Sequence, residues 1–207
     1  MKRVVVDEIL DGLAPEDPEA VRSRADLRRI NFLMGNERWV VRQVAAQRES
    51  AADGVVELGA GTGALLRKLA AYGPSMGVDL VPRPAGLPGG VGWWQGDALA
   101  GDFRGGVLVA NLFLHHFDEG GLRRLGGVVS RFRVLVAVEP WRSPLALGLG
   151  AMMNPLVGRV TRHDMAASIR AGFVPGELEE ALGLEGWKFE ESISRRGAVR
   201  ILGRRAG

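Results

Sequence analysis

The chain has 207 residues, 46% hydrophobic and 25% charged, with a net charge of +3, which suits one packed domain and argues against disorder. It has no cysteine, which excludes disulfides, thiolate metal sites and a cysteine nucleophile. Lys2, Lys68 and Lys188 are the only lysines, and so mild an arginine excess reads as the composition of a GC-rich genome rather than a nucleic-acid footprint.

Asp7 and Glu8 interrupt the N-terminus before it can form the apolar core of a signal peptide. The most apolar later stretch, 144–160, is broken by Asn154, Pro155 and Arg159, so no membrane span is expected. Cytoplasmic residence is the expectation. Residues 1–17, acidic and proline-containing, read as an arm. Residues 18–50 read as helix, with Val21, Ala25, Ile30, Leu33, Val40, Val41 and Val44 at helical spacings and Gly35-Asn36 as a break. Residues 1–50 are expected to form a helical cap within the same domain as 51–207.

From residue 53 strands and helices alternate. "GVVELG" is a strand, and "TGALLRKLAAYG" a helix with Leu65, Leu69 and Tyr72 on one face. "SMGVDL", "GVGWWQGDAL" and "GVLVANLFL" supply three more strands, "GGLRRLGGVVSRF" a helix and "RVLVAVEP" a fifth strand. Continuous apolar strands separated by helices indicate a parallel sheet covered on both faces, an α/β doubly wound fold. The ending differs: Arg196-Gly197 lies between two alternating segments, which reads as a terminal hairpin with no crossover helix.

Gly59, Gly61 and Gly63 alternate between the first strand and its helix, where backbone N–H groups favour an anion. Gly59-Ala60-Gly61-Thr62-Gly63-Ala64 also fits a dinucleotide-binding pattern, so the loop alone is ambiguous. Three acids narrow the choice. Glu57 sits near the end of a strand that has no ordinary use for a buried carboxylate. Asp79, ending the second strand, can accept both hydroxyls of a ribose. Asp97, ending the third, can accept a hydrogen bond from a purine's exocyclic amine. Parallel sheets bind ligands at these carboxyl ends.

"VELGAGTGALL", "GVDL", "QGDAL" and "NLFLHHFD" resemble the successive motifs of class I S-adenosylmethionine-dependent methyltransferases, a likeness spanning about residues 53–205. "DLRRINFLMG" and "TRHDMAASIRAGF" resemble a bacterial small-molecule subgroup, some of it associated with polyketide-type secondary metabolism. The resemblance implies a Rossmann-like sheet of seven strands with the last antiparallel. It implies that Gly59, Ala60, Gly61, Thr62 and Gly63 line the methionine end of S-adenosylmethionine, and that Glu57 meets its ammonium. Asp79 would hold the ribose, Leu80 pack on the adenine, Asp97 and Ala98 frame it, and Asn111 and Leu112 lie beneath the sulfonium.

Two rival enzyme classes fit less well. For an NAD-dependent oxidoreductase, no catalytic domain follows, and Tyr72, the only tyrosine, is followed four residues later by Met76 rather than lysine. For a nucleic-acid methyltransferase, the chain after the fourth strand reads "NLFLHH" instead of the Asn/Asp-Pro-Pro-aromatic run that stacks a flipped base. A non-enzymatic binding protein is disfavoured by the intact acids. The expected acceptor is a small apolar or aromatic molecule, phenolic or quinone-like. In-line transfer works by proximity, and a base is needed only if the acceptor carries a proton. His163 and His116 are the candidates for that base; of the pair His115-His116, at most one is expected to face the pocket. Trp141, Met152 and Met153 would line the acceptor's side, under a mobile cover formed by 141–173 with the N-terminal helices, and "RRINFLMG" would close the other side with Asn31 or Arg28 near the cofactor. Asp164 reads as a cap for the helix that follows it. A metal is not expected, because three histidines without cysteines make no ligand pattern, nor do the acids resemble the magnesium-dependent catechol type.

Overall fold

The computed structural model describes residues 1–14 and 16–206. Helix α1 (Pro18–Met34) begins on Asp17, whose carboxylate accepts the Glu19 N–H at 2.7 Å, with Pro18 at the first helical position. It stops at Gly35, which takes φ 66°. Helices α2 (Asn36–Ala46) and α3 (Arg48–Ala52) follow. The break expected at Gly35-Asn36 is therefore present, and a second one falls at Gln47.

The buried side of α1 differs from the one the apolar periodicity indicates. Val21 and Leu33 are exposed, whereas Ala20, Ser23 and Asp26 are buried. The cause is polar. Asp26 Oδ2 accepts the Gly158 N–H at 2.8 Å and the Thr161 hydroxyl at 3.2 Å, and the Thr161 and Ser23 hydroxyl oxygens lie 3.0 Å apart, within hydrogen-bond distance. Satisfied buried polar groups, not an apolar stripe, fasten this helix.

The sheet strands are β1 (Val55–Leu58), β2 (Ser75–Asp79), β3 (Gly92–Gln95), β4 (Val107–Asn111), β5 (Val134–Pro140), β6 (Trp187–Ile193) and β7 (Ala198–Arg205). Among the described residues they form one seven-stranded sheet in the order β3-β2-β1-β4-β5-β7-β6. Only the pairings of β7 are antiparallel. The terminal hairpin turns at Gly197, φ 81°, and inserts β7 between β5 and β6.

The strands read as continuous apolar runs because both faces are covered. Val55, Val107, Val109, Val134, Val136 and Val138 pack with Val40 and Val44 of α2, and with Leu65 and Leu69 of α4 (Ala64–Leu69). The alternate residues, Val56, Leu58, Leu108, Ala110, Leu135 and Ala137, pack with Leu122, Leu125 and Val129 of α5 (Glu119–Val129). Leu178 and Leu182 of α8 (Glu177–Leu182) join them. Each fully buried leucine there contributes about 1.5–3 kcal/mol relative to exposure.

Between β5 and α8 run α6 (Pro144–Met153), capped by the Ser143 hydroxyl, and α7 (Arg159–Ala171). The apolar composition of α6 could mark a core helix. It is instead a surface helix, with Leu145, Leu149 and Met152 exposed. The N-terminal arm is docked against α7: Val4 N–H donates to Arg170 O at 3.2 Å, and Ile9 and Leu10 N–H groups donate to Asp164 at 2.8 and 3.0 Å. Asp164 lies in mid-helix and caps the arm, not the helix expected to follow it. No helix among the described residues is long and apolar enough to cross a membrane.

Candidate functional site

The loop from β1 to α4 takes left-handed backbone angles at Gly59, Gly61 and Gly63. A Cβ on Gly59 would lie 2.3 Å from Phe113, so the loop and the turn after β4 touch directly. A Cβ on Gly61 would meet nothing within 4 Å. Gly61 is thus the open point of the loop, and its φ of 50° supplies the need for glycine.

Four of this loop's N–H groups have partners within the protein. Gly59 and Ala60 donate to Val78 O at 2.9 and 3.2 Å, Gly61 to Asp79 Oδ2 at 2.7 Å, and Gly63 to Ala60 O at 2.7 Å. Those four donors are committed within the protein.

The neighbouring strand ends offer acceptors instead. Glu57 is 3% exposed, and among the described residues its Oε2 has no hydrogen-bond partner. Burial, reinforced by Glu37 and Asp79, raises its pKa well above the usual carboxylate value, offset only partly by a backbone hydrogen bond from Leu66. Asn111, the last residue of β4, likewise carries a buried Oδ1 without a partner. Leu58 and Ala110 are register partners, so these two acceptors flank one point where β1 and β4 end. A buried unpaired carboxylate beside an unpaired amide oxygen fits a cationic group with several N–H donors. Asn31 and Asn36 also present buried oxygens without partners.

Asp79 ends β2 and accepts from Gly61 and, at 3.1 Å, from the Val81 N–H. Leu80, beside it, is exposed. Asp97 lies in the turn two residues beyond β3 rather than at its last residue. It is exposed and accepts the Leu99 N–H at 2.8 Å, while Ala98 is buried in the core. Thr62 completes the glycine loop and is exposed.

The turn after β4 is held by a residue absent from the sequence-derived candidates. Glu139, fully buried near the end of β5, accepts the N–H groups of Phe113, Leu114 and His115 at 3.1, 2.8 and 3.2 Å. It also meets His115 Nδ1 at 2.7 Å. A carboxylate in "RVLVAVEP" was open to the same argument that singled out Glu57. Pinned by this network, Leu112 adopts φ 58°, a strained angle for a residue with a side chain, and donates to Val138 O at 2.7 Å.

His115 is 3% exposed; its Nε2 faces Glu8 Oε1 at 3.6 Å. Burial alone would lower its pKa, but hydrogen bonding to Glu139 and Glu8 outweighs this and raises it to about 9. His116 is exposed, its ring centroid 4.3 Å from that of His115, and desolvation together with the charge of His115 lowers its pKa. Arg3 donates to the carbonyls of His115 and Phe117 at 3.2 and 2.7 Å, strapping the arm over this turn. His163, on α7, is half exposed, and its Nδ1 lies 3.0 Å from Asp164 Oδ1. Trp141 is half-buried beyond β5 and bridges to Phe173; Met153 is half-buried, and Met152 is 76% exposed. Arg28 is exposed on α1.

No protein-family model and no curated protein matches the chain. Solved structures do. The plantazolicin methyltransferase BamL, in complex with a triazolic desmethylPZN analog and SAH, superposes with a TM-score of 0.70 at 11% identity, over 93% of each chain. Human N-acetylserotonin methyltransferase, in complex with SAM, gives 0.60 at 16% identity over 95% of this chain and 61% of its own. The N-methyltransferase NodS from Bradyrhizobium japonicum WM9 gives 0.52 at 14%, over 94% of this chain and 100% of its own. The chain has the Rossmann-like fold of these methyltransferases, with the seven-stranded mixed sheet expected from the sequence.

Proposed function

We propose that the protein is an S-adenosylmethionine-dependent methyltransferase acting on a small, apolar or aromatic acceptor of phenolic or quinone-like kind. The observation that carries this reading is the pair of buried, partnerless acceptor atoms, Glu57 Oε2 and Asn111 Oδ1, flanking the ends of β1 and β4. An amino-acid ammonium supplies both the charge and the donors they lack. A dinucleotide pyrophosphate, all acceptors, would offer these two acceptor atoms no donor, and the N–H groups of Gly59, Ala60, Gly61 and Gly63 are already used within the protein.

Bound there, the cofactor supplies a methyl group on a cationic sulfur with a neutral thioether as leaving group. Gly59, Ala60, Gly61, Thr62 and Gly63 line its methionine portion, and Leu112 lies beneath the sulfur. Asp79 keeps acceptor capacity for the ribose hydroxyls, since two carboxylate oxygens offer about four positions and two are taken. Leu80 packs on the adenine, and Asp97 and Ala98 frame it. Trp141, Met152 and Met153 form the acceptor wall, and orientation there is worth up to roughly 7–11 kcal/mol. His163 takes the proton of a phenolic acceptor. Asp164 at Nδ1 favours the tautomer that leaves Nε2 free to accept it.

Calorimetry against S-adenosylhomocysteine and NADH tests the cofactor reading. The first is expected to bind and the second not; the reverse outcome overturns it. A transfer screen with labelled cofactor against phenolic and quinone-like compounds then tests the acceptor class.

A further inference from the structure

The docked arm brings Glu8 to the histidine pair after β4. One carboxylate oxygen of Glu8 and one ring nitrogen each of His115 and His116 all lie within 4.8 Å of one another. We propose that Glu8, His115 and His116 form a binding site for a zinc-class divalent cation, with Glu139 as the outer carboxylate that fixes the ligating tautomer of His115.

Four observations support this assignment. The donor set is two imidazoles and a carboxylate, which suits zinc and its neighbours. His115 Nδ1 is held by Glu139 at 2.7 Å, so Nε2 is the nitrogen left to ligate, and it faces Glu8 Oε1 at 3.6 Å. A buried carboxylate on the far nitrogen is the usual way a ligating imidazole is oriented. With bonds of about 2.0–2.1 Å, donors of a tetrahedral site stand roughly 3.3 Å apart, so Glu8 and His115 are nearly in place. His116, exposed on a single 3-10 turn (Leu114–His116), supplies the third donor, within 4.8 Å of the other two.

The arm that presents Glu8 is anchored on both sides. The Ser168 hydroxyl donates to Glu8 Oε1, and the Ile9 and Leu10 N–H groups are fixed on Asp164. Three protein ligands leave a fourth position, on the exposed side of His116, for water or an anionic oxygen. The sequence shows no such pattern because its third ligand lies more than a hundred positions before the histidines and reaches them only through the docked arm. With His116 as a ligand, His163 is the histidine left free for proton transfer.

Without a cation the same residues form an ion triad, His115 carrying the charge between Glu139 and Glu8, and the experiment separates the two states. Tag-free full-length protein is stripped with a chelator and titrated with Zn2+ alone by calorimetry, then with Co2+ alone, whose visible absorption reports coordination. The expected result is one equivalent of zinc at micromolar affinity or better, and a cobalt spectrum of four- or five-coordinate nitrogen–oxygen ligation. Glu8→Gln and His116→Ala are each expected to weaken binding about tenfold or more, while His163→Ala retains it. Circular dichroism checks that each variant is folded. Absence of zinc binding, or binding unchanged in both folded Glu8→Gln and His116→Ala, overturns the proposal and leaves the ion triad. The readout is metal binding, so it stands or falls separately from the cofactor assignment.

Discussion

Asp79 Oδ2 accepts the Gly61 N–H at 2.7 Å. The acid at the end of β2 therefore holds the bend of the glycine loop as well as facing the expected ribose. Asp79→Ala is expected to weaken S-adenosylhomocysteine binding by about 10- to 150-fold, the equivalent of losing roughly 1.5–3 kcal/mol of charge-assisted hydrogen bonding, and to lower the melting temperature of ligand-free protein. Asp79→Asn, which keeps one acceptor oxygen, should do less of both. Calorimetry showing wild-type affinity in the alanine variant would remove Asp79 from the cofactor site.

Glu57 gives a pH signature. Its folded pKa stands well above the ordinary 4.5, chiefly through burial. The folded state thus holds a proton that the unfolded chain has released, and stability of ligand-free protein falls as pH rises from about that value through the raised one. An ammonium ligand favours the ionised form, so cofactor affinity should rise over the same range. Glu57→Gln is expected to flatten both dependences, stabilise the free protein and weaken binding. Melting curves and calorimetry across pH check this; an unchanged affinity profile in Glu57→Gln would mean the carboxylate meets no cation.

Leu112 and Glu139 should respond very differently to substitution. Leu112→Gly removes left-handed strain of about 1–2 kcal/mol and should leave the melting temperature nearly unchanged or slightly raised. Leu112→Val, β-branched in the same conformation, should lower it. Glu139→Ala deprives three N–H groups and a buried imidazole of their acceptor. Breaking such a network costs about 3–5 kcal/mol, or roughly 10 °C in a domain of this size. Equal tolerance of Gly and Val at 112 would show that the turn relaxes freely.

Replacing His163 tests the proton-transfer role. Once an acceptor is found, His163→Gln is expected to reduce kcat by about 10²–10⁴-fold with little change in cofactor affinity. Normal turnover in that variant would exclude His163 as a base. Normal turnover in both His163→Gln and His116→Ala would leave proximity alone to carry the reaction.

The parallel sheet was legible because its central strands β1, β4 and β5 are apolar runs covered on both faces and bounded by turns, and the last hairpin because Arg196-Gly197 separates alternating segments. Glu57, Asp79 and the loop glycines could be picked out because a strand ending in an acid or a bend of alternating glycines is a local pattern. The polar fastening of α1 was not legible: Asp26 and Ser23 find their partners, Gly158 and Thr161, more than a hundred residues away. The same distance hides the approach of Glu8 to His115. Hydrophobic periodicity reports which face avoids water, and it is silent where a helix is held by hydrogen bonds.

The place of β7 has a consequence for synthesis on the ribosome. Its residues Ala198–Arg205 are the last strand made, yet they pair with every residue of β5 from Val134 to Pro140 and separate it from β6. Without them β5, paired with β4 on its other side, has one open edge along Val134–Pro140, apolar except for Glu139. A chain stalled or cleaved before residue 198 would present that edge to other nascent chains, and intermolecular strand addition is the hazard such an edge carries. Truncation before residue 198 should therefore yield aggregates rather than a slightly shortened folded chain.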